Sequence, residues 1–538
     1  MWKMDRPKND ADALVTYGPG SPERERLLAE LERVRKTPLE LPCLIGGEKV
    51  YTGKTIPLRV PHDATRLLGN AHLAGSRELE AAVENALKAW KDWSTAPWYQ
   101  RAAVFQRAAD MLATVRRTEH IAAIMTNLSK TPFEAEIDLA ELVDFWRFNV
   151  FYLHEIYQEQ PLQGQGEINR FDWRPLEGFI VAVTPFNFYS IAGNLPTAPA
   201  MCGNVVLWKP AKSVLYANYL IMELLLEAGL PPGVVNYVPF SSADGATVLR
   251  HPLLSGLHFT GSYATFLTLW QTIGSSVEHY RSFPRVVGET GGKDFIFAHA
   301  SADPIALGAN LLRGGFELQG QKCSAASRAY VPESLWSNVE EYLRREVPLI
   351  SMGPVEDLGN TMGAVIDEEA FRKIKGYLDY ARNHPEEYTL LLGGGCDDRK
   401  GWFVEPTVIR TSNPRGKLMT EEIFGPVITV YVYPDDAYEE TLRLCDATTE
   451  YALTGAVFAG DRAAIATAEC LLRHAAGNFY INDKPTGAVV GRQPFGGSRH
   501  SGTNDKAGFW NNLTRWLSPR NIKETTVPAT NWRRPFLG

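Results

Sequence analysis

Two short segments carry residue types suited to acyl chemistry. They are Gly288-Glu289-Thr290-Gly291-Gly292-Lys293 and, a short way downstream, Gly320-Gln321-Lys322-Cys323-Ser324. Together they offer a thiol nucleophile and a carboxylate base, each among small or glycine residues that let a substrate approach the backbone. A thiol attacks an aldehyde carbon readily, and a carboxylate can activate water against the resulting acyl–sulfur bond. A lone cysteine is more often a small buried hydrophobe than a nucleophile; the pairing and the glycine context point instead to an enzyme. An unperturbed thiol ionises only near pH ~8.5, so it needs help. The adjacent Lys322 could supply it, with Glu141 as its partner. A solvated or salt-bridged lysine and a surface carboxylate are the alternatives.

The rest of the composition bounds the class. The 538 residues are enough for two or three domains, and 45% hydrophobic with 22% charged residues fits an ordinary globular chain. A formal charge of -7 gives no sign of nucleic-acid binding. Cys43, Cys202, Cys323, Cys396, Cys445 and Cys470 form no CxxC pair, and the histidines form no HExxH, so no metal is expected. Residues 178–208 hold no charged residue or histidine, which is long enough to span a bilayer, yet Pro185, Pro196, Pro199, Asn187, Asn194 and Asn204 interrupt the run. It reads as strand, turn, helix and strand buried in protein, with no membrane span. The start of the chain shows no apolar signal core, and Asp5, Asp10 and Asp12 argue against a transit peptide. A cytoplasmic location is expected, with the mitochondrial matrix as the alternative for a chain whose leader has been removed.

Those elements must be positioned by an α/β frame. Residues 24–36 read as a surface helix, residues 78–126 as two amphipathic helices, and residues 133–157 as a further helix. Residues 158–173 are polar and irregular, either a solvated loop or a projecting hairpin. Buried strands are expected at 179–183, 205–208 and 234–238, with a helix over 214–228 ended by Gly229 and Pro231-Pro232. This alternation implies a parallel sheet with covered faces. A second α/β unit begins with a strand at 295–298, a helix over 304–318 and a strand at 328–331, and it runs to about residue 482.

A parallel sheet holds dinucleotides at the carboxyl ends of its strands. The GxGxxG fingerprint is missing. What remains is Phe259-Thr260-Gly261-Ser262, running into a helical stretch from Tyr263, where Gly261 allows close approach and Ser262 could donate to a phosphate or simply cap the helix. Lys209 follows a strand and could reach ribose hydroxyls, or be solvated.

In this order, the pieces resemble the aldehyde dehydrogenase superfamily over about residues 40–525. The signatures are Thr184-Pro185-Phe186-Asn187-Phe188, Trp208-Lys209-Pro210, Phe259-Thr260-Gly261-Ser262, the two segments above, Glu421-Glu422-Ile423-Phe424-Gly425-Pro426 and Pro494-Phe495-Gly496-Gly497. Within it, Phe283-Pro284-Arg285, Val430-Tyr431-Val432-Tyr433-Pro434-Asp435-Asp436, Ala476-Gly477-Asn478-Phe479-Tyr480-Ile481-Asn482-Asp483-Lys484 and Ser501-Gly502-Thr503-Asn504-Asp505-Lys506 are similar to the Δ1-pyrroline-5-carboxylate dehydrogenase branch.

The resemblance implies an N-terminal extension (1–40), a Rossmann-like cofactor domain (41–157 and 178–287), a catalytic α/β domain (288–482), an anchor loop and return (483–510), and a β-hairpin oligomerisation flap (158–177 and 511–538). It implies catalysis by Cys323, Glu289 and Asn187, with the Asn187 amide and the Cys323 N–H stabilising the oxyanion. NAD would contact Thr184, Lys209, Gly261, Ser262, Tyr263, Ala264, Thr265, Glu422 and Phe424, and its positive ring could help ionise the thiol. Many NAD-preferring relatives carry an acid at the position of Lys212, so NADP is an alternative here. The substrate implied is L-glutamate γ-semialdehyde, its carboxylate held by Ser324 and by the backbone of Gly487 and Ala488, where some relatives place a serine at Ala488. Phe188 and Phe495 would clamp its chain, or serve as core. A homodimer or higher oligomer is implied, with a separate proline dehydrogenase as the source of substrate. Another acidic aldehyde such as succinate semialdehyde is the nearest alternative. A thiol hydrolase would leave the cofactor motifs without purpose, and a non-catalytic scaffold is at odds with the retention of every catalytic motif residue.

Overall fold

Two seven-stranded sheets organise the chain, whose computed structural model describes residues 4–537. The outermost ends of the expected extension and flap lie outside the described residues. In the first sheet Arg285–Glu289, Leu254–Thr260, Phe179–Val183, Val205–Lys209 and Val235–Tyr237 run parallel, in that spatial order. Cys43–Ile45 and Glu48–Val50 extend it antiparallel. All seven residues of Leu254–Thr260 are buried, as a strand covered on both faces requires. The second sheet runs Thr407–Thr411, Val427–Tyr433, Ala326–Pro332, Asp294–Ala298, Thr454–Phe458 and Asn478–Ile481 in parallel, with Tyr388–Leu392 antiparallel at one edge.

The expected helices form at Pro22–Lys36, Leu215–Glu227 and Pro132–Gln158. Ser21 accepts from the Arg24 N–H at 3.2 Å and caps the first of them. Residues 76–128 hold three helices rather than two: Ser76–Trp93, Trp98–Ala113 and Arg117–Leu128. The third is buried at every position from His120 to Leu128, so it shows no polar face for periodicity to detect. The helix expected over 304–318 stops at Phe316, because Leu318, Gln319 and Gly320 all take left-handed backbone angles.

Residues 158–173 fold back through side chains, with Gln163 and Gln160 bonded to Asn169 and Phe171, and form no strand ladder of their own. The strand Glu167–Pro175 pairs antiparallel with Leu517–Thr525, at the other end of the chain, to make a two-stranded arm. That partner is what a local reading of this segment lacked. The uncharged run 178–208 divides into Phe179–Val183, Tyr189–Met201 and Val205–Lys209, and no helix among the described residues is long and apolar enough to cross a membrane.

Candidate active site

Glu289 ends the edge strand Arg285–Glu289 of the first sheet, and the following four residues cross to Asp294–Ala298 in the second. Cys323 sits in the loop before Ala326–Pro332, so the seam between the sheets brings the two together. Cys323 Sγ lies 4.0 Å from Glu289 Oε1. The loop reaching Cys323 is bent by the left-handed Leu318 and Gln319, at a cost of about 1–3 kcal/mol each. Neighbouring groups hold that bend. Glu134 Oε1 accepts the Leu318 N–H at 2.6 Å, and Gln319 Nε2 donates to the Ser129 carbonyl at 3.2 Å. Gln321 Oε1 accepts the Ile366 N–H at 3.0 Å, while Asn187 Nδ2 donates to the Gln321 carbonyl at 3.0 Å. Asn187 is therefore tied to the nucleophile loop, and its amide keeps a second N–H.

Burial pushes the Cys323 thiol well up, with the Glu289, Asp294 and Glu422 carboxylates adding to the effect. Burial also pushes the Glu289 carboxyl up to about 8, reinforced by Glu141 and opposed by Lys506. Lys322 does not relieve the thiol. Its ammonium is paired with Glu317 at 3.0 Å, the salt-bridged alternative, and not with Glu141. Glu141 instead accepts from the Ser190 hydroxyl at 2.6 Å and faces the same cavity as Cys323, where burial pushes it up to about 7.

That cavity, of about 260 Å³, collects Cys323, Ser324, Glu289, Phe188, Phe495, Gly487 and Ala488. The Ser324 hydroxyl donates to Thr486 at 2.9 Å, which fixes it beside the Gly487–Ala488 backbone. Gly487 has φ +93, a left-handed angle that a side chain would strain. Phe188 is held by the Lys130 ammonium, 4.6 Å from its ring centroid, and Lys130 is itself paired with buried Asp138 at 2.6 Å. Asp138 also accepts the Tyr189 and Ser190 N–H groups, capping the helix that follows Phe188. Lys130, Asp138, Glu134 and Thr486 escaped the sequence reading. Only Glu134 left a signal, the Thr131-x-x-Glu134 capping box, which gives no hint of its reach to Leu318.

On the other side of the seam, three parallel strands end at Val183, Lys209 and Thr260, side by side. Ser262 caps the Tyr263–Gly274 helix through the Thr265 N–H, and a methyl on Gly261 would meet the Phe259 ring. Ala264 and Thr265 lie exposed on that first turn, a dipole-positive end open to an anion, while Tyr263 stacks on His500 with centroids 4.2 Å apart. Lys209 lies over the Phe240 ring, and burial, with Lys212 beside it, pushes its ammonium down to about 8. These groups fit a dinucleotide: a glycine packed on the Phe259 ring, a capped helix start and a lysine ammonium. At the Val183 strand end the Thr184 hydroxyl accepts the Trp208 indole N–H at 3.0 Å. Glu422 Oε1 accepts the Gly292 N–H at 3.0 Å, and Phe424, with φ 60, packs edge-on against Phe186.

The aldehyde dehydrogenase family pattern matches residues 50–522. A protein of Dictyostelium discoideum described as mitochondrial delta-1-pyrroline-5-carboxylate dehydrogenase is 47% identical over 529 residues, covering 97% of this chain and 95% of its own. The Homo sapiens protein of the same description is 46% identical over 532 residues, covering 98% and 94%. The solved Delta-pyrroline-5-carboxylate dehydrogenase of Mycobacterium tuberculosis bound with NAD superposes with a TM-score of 0.95 at 49% identity, covering 100% of this chain and 99% of that one.

Proposed function

The chain belongs to the aldehyde dehydrogenase family, and on that footing we propose that it oxidises L-glutamate γ-semialdehyde, formed from Δ1-pyrroline-5-carboxylate, to L-glutamate in proline breakdown. The observation that carries this reading is the shared cavity. It sets a thiol 4.0 Å from a carboxylate and places both beside a glycine-bearing loop able to bind an amino-acid carboxylate.

The steps follow from the residues. Glu289, in its carboxylate form, takes the proton from Cys323 Sγ, and the thiolate adds to the aldehyde carbon. The oxyanion so formed is held by the free N–H of Asn187 and by the Cys323 backbone N–H; one such donor typically supplies about 3 kcal/mol. NAD, when bound, supplies the acceptor for the hydride leaving that carbon. Cys323 is then left as a thioester. Glu289, having shed its proton, takes one from water, whose oxygen attacks the thioester carbon; glutamate departs and the thiolate is regenerated. Phe188 and Phe495 flank the aliphatic chain, and the N–H groups of Gly487 and Ala488 with Ser324 receive the carboxylate. Thr184, Lys209, Gly261, Ser262, Tyr263, Ala264 and Thr265 would hold the adenosine and diphosphate, Glu422 the nicotinamide ribose and Phe424 the ring's surroundings.

In this reading residues 41–157 and 178–287 form the cofactor domain, 288–482 the catalytic domain and 483–510 the anchor loop and return. The arm formed by 158–177 and 511–538 joins subunits into a homodimer or larger assembly, after an extension over 1–40. The substrate comes from a proline dehydrogenase, in the cytoplasm or, as the names of the Dictyostelium and human relatives say of those proteins, in mitochondria. A kcat/KM panel tests the assignment. Pyrroline-5-carboxylate should exceed succinate semialdehyde by at least about tenfold, since a site built to bond an amino-acid head group penalises its absence. The reverse order would assign another acidic aldehyde.

A further inference from the structure

Residues 9–14 lie along the same cavity as Cys323, with Ala11 and Leu14 on its wall. They are fastened on two sides. On one side is the Pro132–Gln158 helix, whose Phe133, Ile137, Glu141 and Asp144 also line the cavity. Asp144, 1% exposed, accepts the Asp10 N–H at 2.6 Å and the Ala11 N–H at 3.5 Å, and Asn9 Nδ2 donates to it at 3.0 Å. On the other side is the segment just after Gly487 and Ala488. Asn9 Nδ2 also reaches the Val490 carbonyl at 2.8 Å, and Asp12 is paired with Arg492. Farther along, the Tyr17 hydroxyl donates to Glu136 at 2.5 Å, and Arg117 joins Glu136 to Asp10.

A segment bonded to both flanks of a cavity closes the slot between them. We infer that residues 9–14 form a strap that bounds the substrate cavity on one side and limits the size of aldehyde that reaches Cys323. Leu14 is the adjustable part of this wall, because it is half-buried and lines the cavity. The inference rests on the proposed function insofar as the cavity is the aldehyde site, so its test needs one readout free of turnover.

Leu14→Ala and Leu14→Trp separate the possibilities. The first readout is the kcat/KM ratio for the six-carbon homologue of glutamate γ-semialdehyde over the five-carbon parent. Leu14→Ala should raise the ratio about tenfold and Leu14→Trp lower it comparably, a methylene's worth of discrimination, with KM for NAD unchanged. The second is the rate of Cys323 alkylation by a bulky maleimide over that by iodoacetamide, read by mass spectrometry on the Cys323 peptide. Leu14→Ala should raise this ratio as well, and Leu14→Trp lower it. If the wild type oxidises the five-carbon substrate, a ratio within about twofold of wild type in both variants, by either readout, overturns the strap. If the wild type leaves that substrate untouched, the proposed function fails, and alkylation alone decides the wall.

Discussion

Cys323 Sγ lies 4.0 Å from Glu289 Oε1 in a cavity where burial raises both groups, so thiol and base share a site in which neither ionises easily. Glu289 is pushed up to about 8, and its base form grows as pH rises through that value. Alkylation of Cys323 in the free enzyme should therefore accelerate through about pH 8. Glu289→Gln should abolish that inflection and slow the reaction at pH 8. An inflection near the ordinary carboxyl range would show that burial does not control the base.

Glu141 is the second cause of the Glu289 shift. Removing its charge in Glu141→Gln should move the alkylation inflection to lower pH, and Glu141→Asp should largely restore it. An unmoved inflection in Glu141→Gln would separate the two carboxyls electrically.

The same shift has a consequence for stability. With a folded value of about 8 against 4.5 when unfolded, the folded state holds this proton after the unfolded chain has released it. The stability this proton confers is present below about pH 4.5 and declines as pH rises to about 8. Glu289→Gln carries no such term, so its Tm advantage over wild type should widen across that window in paired thermal melts and level off above it. A constant difference would contradict the buried base.

Much of this frame is legible in the sequence because its signals are local. The apolar run 179–183, the Gly229 stop and the small residues around Glu289 and Cys323 each announce themselves within a few positions. What escapes is whatever a distant partner decides. Glu167–Pro175 becomes a strand only against Leu517–Thr525. Lys322 pairs with Glu317, across the left-handed bend at Leu318 and Gln319, rather than with Glu141. Arg117–Leu128 lacks a polar face because it is enclosed, and Lys130 and Asp138, which hold Phe188, come from a stretch that no family motif marks.

Asn187 donates to the Gln321 carbonyl two residues before the nucleophile, and its other N–H serves the oxyanion in the proposed mechanism. Asn187→Ala should lower kcat by about 10²–10³ while leaving KM for NAD near wild type. A loss confined to KM would make Asn187 a loop brace alone.

Gly291 faces the Glu422 carboxylate, which a methyl there would overlap. Gly291→Ala should displace Glu422 from the Gly292 N–H and raise KM for NAD about tenfold, the worth of one charge-assisted hydrogen bond. The alkylation rate of Cys323 in the absence of NAD should stay close to wild type. Unchanged NAD kinetics would remove Glu422 from the cofactor's surroundings.

Absorbance at 340 nm, followed with NAD and pyrroline-5-carboxylate for wild type and Cys323→Ala side by side, tests the central claim most directly. The account predicts NADH formation by the wild type and none above background by the variant, with the variant's Tm close to wild type. NADH formation that survives in folded Cys323→Ala would contradict the covalent mechanism, and a wild type silent on this substrate would contradict the assigned reaction.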